Sequence, residues 1–371
     1  MTANESFPTS QPHESRWYRL TIDRAAVGLL AFEGFLLLSE WFDWFVFNGE
    51  TWTVLIAVAG IALAMLFFLL WFVVARLLHR PFQYSLRSFI LLVVIVAIPC
   101  SWLTVEMKQE RNQKVAAEEI EKLGGKVKSE VTWLGRLLRD NSLVSVTQAN
   151  LFGTRITDTE LLHFQNLRQL QILELTITKV SDDGLAYLQG VKRLEVLILD
   201  NTGISDPGLA RLEGLSRLLV LVLDNTKVTD AGLVHLEGLK HLRWLHLNNT
   251  IITDAGLVYL QELTELQWLA LDGTKVTDAG LAHLAGLKHL EFLMLKDTQV
   301  TDAGLQHLER MNQLKRLELN GTKVTDAGLA HLVGLKHLEF LMLKDTQVTD
   351  AGAKKVQQAL ANCKVTRASS K

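Results

Sequence analysis

The C-terminal half of this 371-residue chain repeats one pattern of apolar and polar positions with a period of 24 residues. Each period begins with Ile or Val, then Thr or Ser, then Asp; the first starts at Ile156 and the last at Val348. A constant period of this length is typical of a stacked array, in which each coil buries its apolar face against its neighbours. Residues 156–347 are therefore predicted to form eight structural repeats.

Within one repeat, the apolar residues first alternate and then recur at every third position. Leu245 and Leu247 lie two residues apart, which is the spacing of one face of a β-strand. Leu257, Leu260 and Leu263 follow with the spacing of the inner stripe of a short helix or 3₁₀ turn. Each repeat is therefore predicted to contain one strand and one short helix.

Polar residues and glycine mark the start of each short helix. Pro207 follows Asp206 directly, and proline is favoured at the first helical position. This predicts Asp206 as the helix N-cap, and the Asp of every other triplet likewise. A glycine two residues after each Asp, such as Gly208, is expected to let neighbouring coils approach closely.

The pattern L-x-x-L-x-L-x-x-T-x-V-T-D-A-G-L-x-x-L-x-x-L resembles the 24-residue leucine-rich repeats of the GALA and cysteine-containing, F-box-associated classes. The resemblance implies an α/β solenoid, a horseshoe with a parallel β-sheet on the concave face and short helices on the convex face. The chain departs from these classes where Asn is usual, because every repeat has Thr there. Since a Thr hydroxyl also bonds to backbone in a tight turn, we expect a threonine ladder at Thr154, Thr178, Thr202, Thr226, Thr250, Thr274, Thr298, Thr322 and Thr346.

Three long apolar runs precede the repeats, at residues 25–47, 52–78 and 89–105. At about 1.5 Å per residue, the first two can cross a hydrocarbon core of about 30 Å, and the third is near the lower limit of about 17 residues. Residues 25–105 are therefore predicted to form three transmembrane helices in a lipid bilayer. The polar residues 1–24 are expected to be a disordered tail.

Arginine predicts the orientation of these helices. The link at residues 48–51 has no basic residue, whereas arginines flank the other side of the spans at Arg16, Arg19, Arg24, Arg76, Arg80 and Arg87. The N-terminus is therefore expected in the cytoplasm and the repeat domain outside it. Residues 82–92, with residues 120–125, resemble the membrane anchor that precedes leucine-rich repeats in uncharacterised bacterial proteins. This resemblance implies a bacterial cytoplasmic membrane protein.

The remaining segments are predicted to connect and close the array. Residues 106–125 are rich in good helix formers and are expected to form a helical stalk that ends at the Gly pair. Residues 126–155 are expected to form the N-terminal cap, with a short helix at residues 133–138 and a degenerate first strand. Residues 348–371, in which smaller side chains replace the usual leucines, are predicted to be the C-terminal cap and tail.

The strand residues that point away from the core are predicted to line the concave face, which leucine-rich repeat proteins typically use for binding. Two adjacent columns of these residues contain two Trp, two Phe and two Met, with a polar column beside them. An exposed apolar patch with a polar rim usually marks a binding site, and Trp is common among binding hot spots. The candidate site residues are Val196, Val220, Trp244, His246, Trp268, Phe292, Met294, Arg316, Asp224, Asn248, Asp272 and Lys296.

Composition and motifs limit the classes of partner and of chemical activity that the sequence favours. The 38 basic and 40 acidic residues nearly balance, so bulk charge gives no argument for nucleic acid as a partner. The two cysteines form no disulfide framework or metal-binding spacing. Repeated histidines are expected on the convex side, too far apart for one zinc ion. No nucleophile elbow, phosphate loop or HExxH motif occurs, so we expect no enzyme, cofactor or metal.

The function predicted from these features is a membrane-tethered scaffold that binds a protein or a cell-envelope glycan. The aromatic residues have two other interpretations, because they could shield the sheet or form a dimer interface. The repeat resemblance also implies a substrate adaptor of the F-box or GALA kind, which needs an F-box-like module before the repeats. A third alternative is a regulatory domain of a small membrane protein. Separately, Glu33 in the first span is expected to serve structural pairing or bundle packing, or else proton or ion handling.

Overall fold

The computed structural model describes residues 86–367, with side chains described from Ser101 onward. The predicted tail, the first two predicted spans and Glu33 lie outside the described residues. The third predicted span, residues 89–105, lies within a described helix, but the side chains of residues 89–100 are not described. Among the residues described, no helix combines the length and the apolar character needed to cross a bilayer. The chain divides into two compact units, Met1–Lys108 and Gln109–Lys371, and the second contains all the repeats.

The first described element is α1, Leu86–Lys122, which ends beside Gly124 in a left-handed conformation with φ of 87°. The helical stalk predicted for residues 106–125 falls on the C-terminal part of this helix, which also packs against the repeats. Ala116, Ala117 and Ile120 are buried in the same core as the repeats. These residues lie on one helical stripe, and that stripe covers the apolar end of the first coil, which would otherwise face water.

Polar contacts fix the end of α1 against the cap. The backbone N–H of Val146 donates to Oε1 of Gln113 at 3.0 Å, and the Thr132 hydroxyl donates to Glu110 at 2.9 Å. These bonds join residues more than 20 positions apart. The C-terminal part of α1 therefore belongs to the cap of the repeat domain.

One 11-stranded sheet runs through the unit, with its strands in sequence order. Strands β1 and β2 are antiparallel, and helix α2, Trp133–Leu138, connects them. All later pairs are parallel. The strands are β1 Lys126–Val131, β2 Val144–Asn150, β3 Ile172–Glu174, β4 Val196–Ile198, β5 Val220–Val222, β6 Trp244–His246, β7 Trp268–Ala270, β8 Phe292–Met294, β9 Arg316–Glu318, β10 Phe340–Met342 and β11 Lys364–Thr366.

Short helices lie on the other side of each coil. Some coils have an α-helix, some a 3₁₀ helix and some both, and a spacing of three between leucines is typical of 3₁₀ geometry. The α-helices are α3 Asp158–Leu161, α4 Asp206–Ala210, α5 Asp254–Leu257, α6 Asp278–Leu284, α7 Asp302–Leu305 and α8 Asp350–Ala359. The 3₁₀ helices are Leu162–Asn166, Gly184–Leu188, Gly232–Leu236, Val258–Leu260, Gln306–Leu308 and Gly328–Leu332.

The repeated leucines form one continuous core between the sheet and the short helices. Leu245 and Leu247 from the strand side, and Leu257, Leu260 and Leu263 from the helical side, are completely buried. Residues at equal positions of successive coils pair in register, 24 residues apart. This architecture confirms the predicted leucine-rich repeat solenoid.

Candidate functional site: the sheet face

The candidate site lies on the face of the parallel sheet that points away from the core, which we call the sheet face. In each strand from β3 to β10 the middle residue is a completely buried leucine, for example Leu245 in β6. The first and third residues of the strand point to the sheet face. Because the strands are in register, equal positions form columns that cross the sheet.

The first column places three aromatic rings side by side, and we call Trp244, Trp268 and Phe292 the aromatic ribbon. The ring centroids of Trp244 and Trp268 are 5.6 Å apart with the planes tilted by 42°. The rings of Trp268 and Phe292 are stacked at 4.6 Å and 17°. Val196 and Val220 precede the ribbon in the column, and Arg316 follows it. These six residues are neighbours in one column of the sheet, as their spacing in the sequence predicts.

Exposure differs within the set because neighbouring strands are only about 4.8 Å apart and large side chains cover one another. Trp244 is 44% exposed, whereas Trp268 and Phe292 are half-buried. Met294 was predicted to be exposed, but it is buried, with 6% of its surface accessible. Met294 therefore belongs to the sheet face by its position in the strand, but its side chain is almost inaccessible and is not a contact residue of the free surface.

His246 adds a fourth ring in the second column. It stacks on Trp268 at 5.7 Å and 25°, and its Nδ1 lies 3.8 Å from Oδ2 of Asp224. Within the part of the chain described with side chains, four buried side-chain atoms have no hydrogen-bond partner, and all four lie on this face: His246 Nε2, Trp268 Nε1, Arg316 Nε and Asp200 Oδ1. A buried polar atom without a partner is costly in a folded protein, so the sheet face keeps unused bonding capacity.

The polar column beside the ribbon forms a ladder across the coils that sequence reasoning did not find. Its members, Asp224, Asn248, Asp272 and Lys296, were predicted only as a rim. The N–H of Asn248 donates to Oδ1 of Asp224 at 2.7 Å, and the N–H of Asp272 donates to Oδ1 of Asn248 at 2.8 Å. The N–H of Lys296 donates to Oδ1 of Asp272 at 2.7 Å. The side chains of Asp224, Asn248 and Asp272 thus each accept a backbone N–H of the next coil.

Burial changes the acidity of two carboxyl groups in this column. It raises the pKa of Asp272 to about 6, and repulsion from Glu318 and Asp224 acts in the same direction. Burial and the nearby Asp224 also raise the pKa of Asp200. A carboxylate with a raised pKa is stabilised when a cation approaches, so these groups favour a positively charged neighbour.

The histidines of the helical side make pairs with glutamate between coils. Nδ1 of His235 is 2.6 Å from Glu213, Nδ1 of His241 is 3.0 Å from Glu265, and Nδ1 of His331 is 2.5 Å from Glu309. No group of three His, Cys, Asp or Glu side chains suited to a metal ion occurs among the residues described. These histidines therefore join neighbouring coils at the surface.

Comparison with known proteins found similar solved structures. No protein-family model matches it, and no curated protein matches it significantly. An internalin C2 of Listeria monocytogenes matches over 60% of this chain and 81% of its own, with 26% identity and a TM-score of 0.46. A leucine-rich repeat protein of Leptospira interrogans matches over 55% and 56%, with 21% identity and a TM-score of 0.44.

An internalin InlF of Listeria monocytogenes is also similar, over 64% of this chain and 94% of its own, with 19% identity and a TM-score of 0.36. With TM-scores of at most 0.46, these likenesses identify no ligand or activity for this chain.

Proposed function

We propose that this protein is a membrane-tethered binding scaffold whose sheet face, centred on the aromatic ribbon, holds a protein ligand. The observation that carries the proposal is the row of three adjacent aromatic rings on a rigid sheet, with Trp244 44% exposed. Aromatic side chains bury a large area on contact and dominate interface energetics. The sheet also holds these rings in place before binding, which lowers the entropy lost on association.

A protein fits this surface better than a cell-envelope glycan. Trp268 has a ring on either side, because it lies between Trp244 and Phe292 and also stacks on His246. Ring faces that already stack on each other are not open for a sugar to lie flat on them. An extended run of ring edges bordered by carboxylates, amides and Lys296 suits the mixed apolar and polar surface of a polypeptide.

The membrane tether is proposed from the sequence. The apolar runs at residues 25–47, 52–78 and 89–105 have the length and composition of spans, and arginine is concentrated on one side of them. In this arrangement the N-terminus lies in the cytoplasm and the repeats lie outside. A scaffold fixed to a bilayer gains effective concentration for partners in or near the same membrane.

The two alternative functions, an F-box-like adaptor and a regulatory domain of a membrane protein, have less support than the binding scaffold. An F-box-like adaptor needs a helical module before the repeats, whereas the described residues there form α1, the β1–β2 pair and the single turn-and-a-half helix α2. No described feature links the sheet face to regulation of a membrane bundle. We also propose that the protein has no enzymatic activity, since the polar groups of the sheet face act mainly as backbone acceptors.

The test is replacement of both tryptophans by serine, in the variant Trp244→Ser/Trp268→Ser. We expect this variant to lose at least one protein that the wild-type full chain retains in quantitative affinity capture, because the hot-spot area is removed. The matched control is Ile251→Ser/Val258→Ser, which removes two exposed apolar side chains away from the ribbon. Thermal unfolding of all three proteins verifies folding.

Capture patterns that are equal for wild type, ribbon variant and control would refute a role for the ribbon in partner binding. A ribbon that serves self-association instead would show a concentration-dependent dimer in sedimentation, and the ribbon variant alone would be monomeric.

A further inference from the structure

The sheet face carries a row of carboxyl groups beside the aromatic ribbon, and we call Asp200, Asp224 and Asp272 the acidic row. The three residues occupy the same position in their coils, four residues after the ribbon column. Oδ1 of Asp200 is buried and has no hydrogen-bond partner. The row therefore concentrates negative charge at the border of the apolar surface.

Among the residues described, no Lys or Arg side chain forms an ion pair with this row, although Lys296 is close enough to act on Asp272 through its charge. The Lys296 ammonium group lies 3.8 Å from Oδ2 of Asp297, and the Arg316 guanidinium lies 3.8 Å from Oε2 of Glu318. Among the described residues, the only ion-pair partner of the row within 4.0 Å is His246, which lies 3.8 Å from Asp224. The carboxyl groups are instead surrounded by further acids, Glu174 and Glu318.

We propose that the ligand of the sheet face is a cationic polypeptide segment, whose Lys or Arg side chains lie on the acidic row and whose apolar side chains lie on the aromatic ribbon. The inference rests on the proposed function and adds the charge of the partner to it. The ribbon and the row are four residues apart in each coil, which is at most roughly 13 Å. A short extended segment spans this distance.

Charge also sets the position and direction of the ligand. The coils after β7 carry Lys296, Arg316 and Lys344 on the same face, so positive charge occupies the opposite end of the ribbon. Basic ligand side chains are attracted to the coils of β4 to β7 and repelled from those of β8 to β10. Like-charge repulsion of this kind fixes the register of a bound chain.

The site has a defined dependence on pH and salt. Asp272 faces Asp224, Glu318 and Lys296. As the pH falls through about 6, Asp272 takes up a proton and the attraction for a cation decreases. Screening by salt weakens the same attraction.

The test uses labelled hexa-arginine and hexa-glutamate peptides as probes and the purified full chain in a non-ionic detergent, with fluorescence anisotropy as the readout. The variant Asp200→Asn/Asp224→Asn/Asp272→Asn removes the charge of the row. Asn already occupies this column at Asn248 and Asn320, where its Oδ1 accepts the next backbone N–H, so the ladder is retained. The matched control, Glu237→Gln/Glu262→Gln/Glu309→Gln, also removes three negative charges, but on the helical side of the coils.

We expect the wild type and the control to bind hexa-arginine about tenfold more tightly than the asparagine variant, a factor of ten being about 1.4 kcal/mol. Binding should weaken below about pH 6 and with added salt, and hexa-glutamate should not bind. Equal affinity of the asparagine variant and the wild type, equal binding of both peptides, or no binding of hexa-arginine at about 1 mM would each overturn the inference.

These outcomes are separable from the proposed function. If the asparagine variant keeps the partners that Trp244→Ser/Trp268→Ser loses, the sheet face binds protein but its ligand is not selected by positive charge. If both variants keep every partner, the binding role itself is refuted.

Discussion

At the scale of single residues, one position of each coil has a left-handed backbone. It is the residue directly before the repeated threonine, for example Ile177 before Thr178. Gly, Asn or Asp occupies it in all the other repeats, with φ between 54° and 70°. The exception is Ile177, which has φ of 56° and is 53% exposed. A β-branched residue in this conformation is strained, because its Cβ crowds the following carbonyl oxygen.

Ile177→Asn is therefore expected to raise the free energy of unfolding by about 1 kcal/mol, since strain is relieved and little burial is lost. Urea denaturation of the full chain measures the change. The reverse substitution one coil later, Asn201→Ile, serves as the control and should destabilise the protein by a similar amount. A neutral or destabilising Ile177→Asn would show that the Ile side chain contributes packing that outweighs its backbone strain.

Asp272 gives a second prediction at this scale, on the dependence of stability on pH. Burial raises its pKa in the folded protein to about 6 from the ordinary 3.8. The folded state therefore holds this proton more tightly than the unfolded state, and the stabilisation, complete below about pH 4, is lost as the pH rises through about 6. Asp272→Asn removes the ionisable group, so stability no longer falls as the pH rises through about 6, and the Asn Oδ1 can still accept the Lys296 N–H.

We expect Asp272→Asn to be more stable than wild type by about 1 kcal/mol above pH 7, after allowance for partial exposure of the group, and the gain should shrink toward pH 4. Urea titrations at several pH values measure the difference. The same gain at every pH would show that the carboxyl group has an ordinary pKa in the folded protein.

At the scale of elements, the Asp of each triplet ties two coils together instead of capping its own helix as predicted. In the coils with an α-helix, the N-cap is the preceding Thr or Ser, for example Ser205 before α4, and Asp206 is the first helical residue. Oδ1 of Asp254 accepts the N–H of Thr277 at 2.7 Å, and Oδ2 accepts the Thr277 hydroxyl at 2.6 Å. The same pair of bonds recurs from Asp158 to Thr349.

This tie explains the glycine of the repeat, which was predicted to allow close approach. A Cβ at Gly280 would lie 2.4 Å from Oδ1 of Asp254 in the preceding coil. Only a residue without a side chain leaves room for the carboxylate, so the Asp and the Gly of neighbouring repeats depend on each other.

Gly280→Ala is accordingly expected to destabilise the protein by about 2 to 3 kcal/mol, because the displaced Asp254 carboxylate leaves its hydrogen-bond donors unsatisfied. Gly286→Ala is the matched control, since no atom lies within 4 Å of a Cβ there, and it should change stability little. In the Asp254→Ala background the cost of Gly280→Ala should fall by at least about 1 kcal/mol. Strict additivity in this double-mutant cycle would contradict the coupling.

At the scale of the whole molecule, the compact unit Gln109–Lys371 is one stack of coils with a cover at each end. Ile120 in α1 closes the core at the first coil, and Val356 in α8 closes it at the last. The core has no break between these covers, because every coil supplies leucines at equal positions. Stability in such an array is shared between neighbouring coils.

The placement of this unit relative to a membrane is tested by thiol labelling. Ile251 is 54% exposed, whereas the native Cys363 is buried, with 2% of its surface accessible. We expect Ile251→Cys to react with a membrane-impermeant maleimide in intact cells, and the parent chain to give the background. Labelling of Ile251→Cys only after the cells are opened would place the repeats in the cytoplasm and reverse the proposed orientation.

The sequence alone determined the solenoid, its repeat length and the facing direction of its side chains. A period of 24 residues with leucines at constant spacing leaves one way to bury them, so Leu245, Leu257 and Trp244 could be assigned to strand, helix and outer face from their positions. The threonine ladder was also predictable and is confirmed: the Thr250 hydroxyl donates to the Leu247 carbonyl, as do its counterparts. These features arise within one coil.

The tertiary structure decided what happens between coils. Whether an Asp caps its own helix or binds the Thr of the next coil depends on the separation of the coils, which a one-dimensional pattern does not contain. The same is true of buried Met294, of the raised pKa of Asp272, and of Ile120 covering the first coil. Each results from side chains brought within a few ångströms by stacking, and only the folded stack fixes those distances.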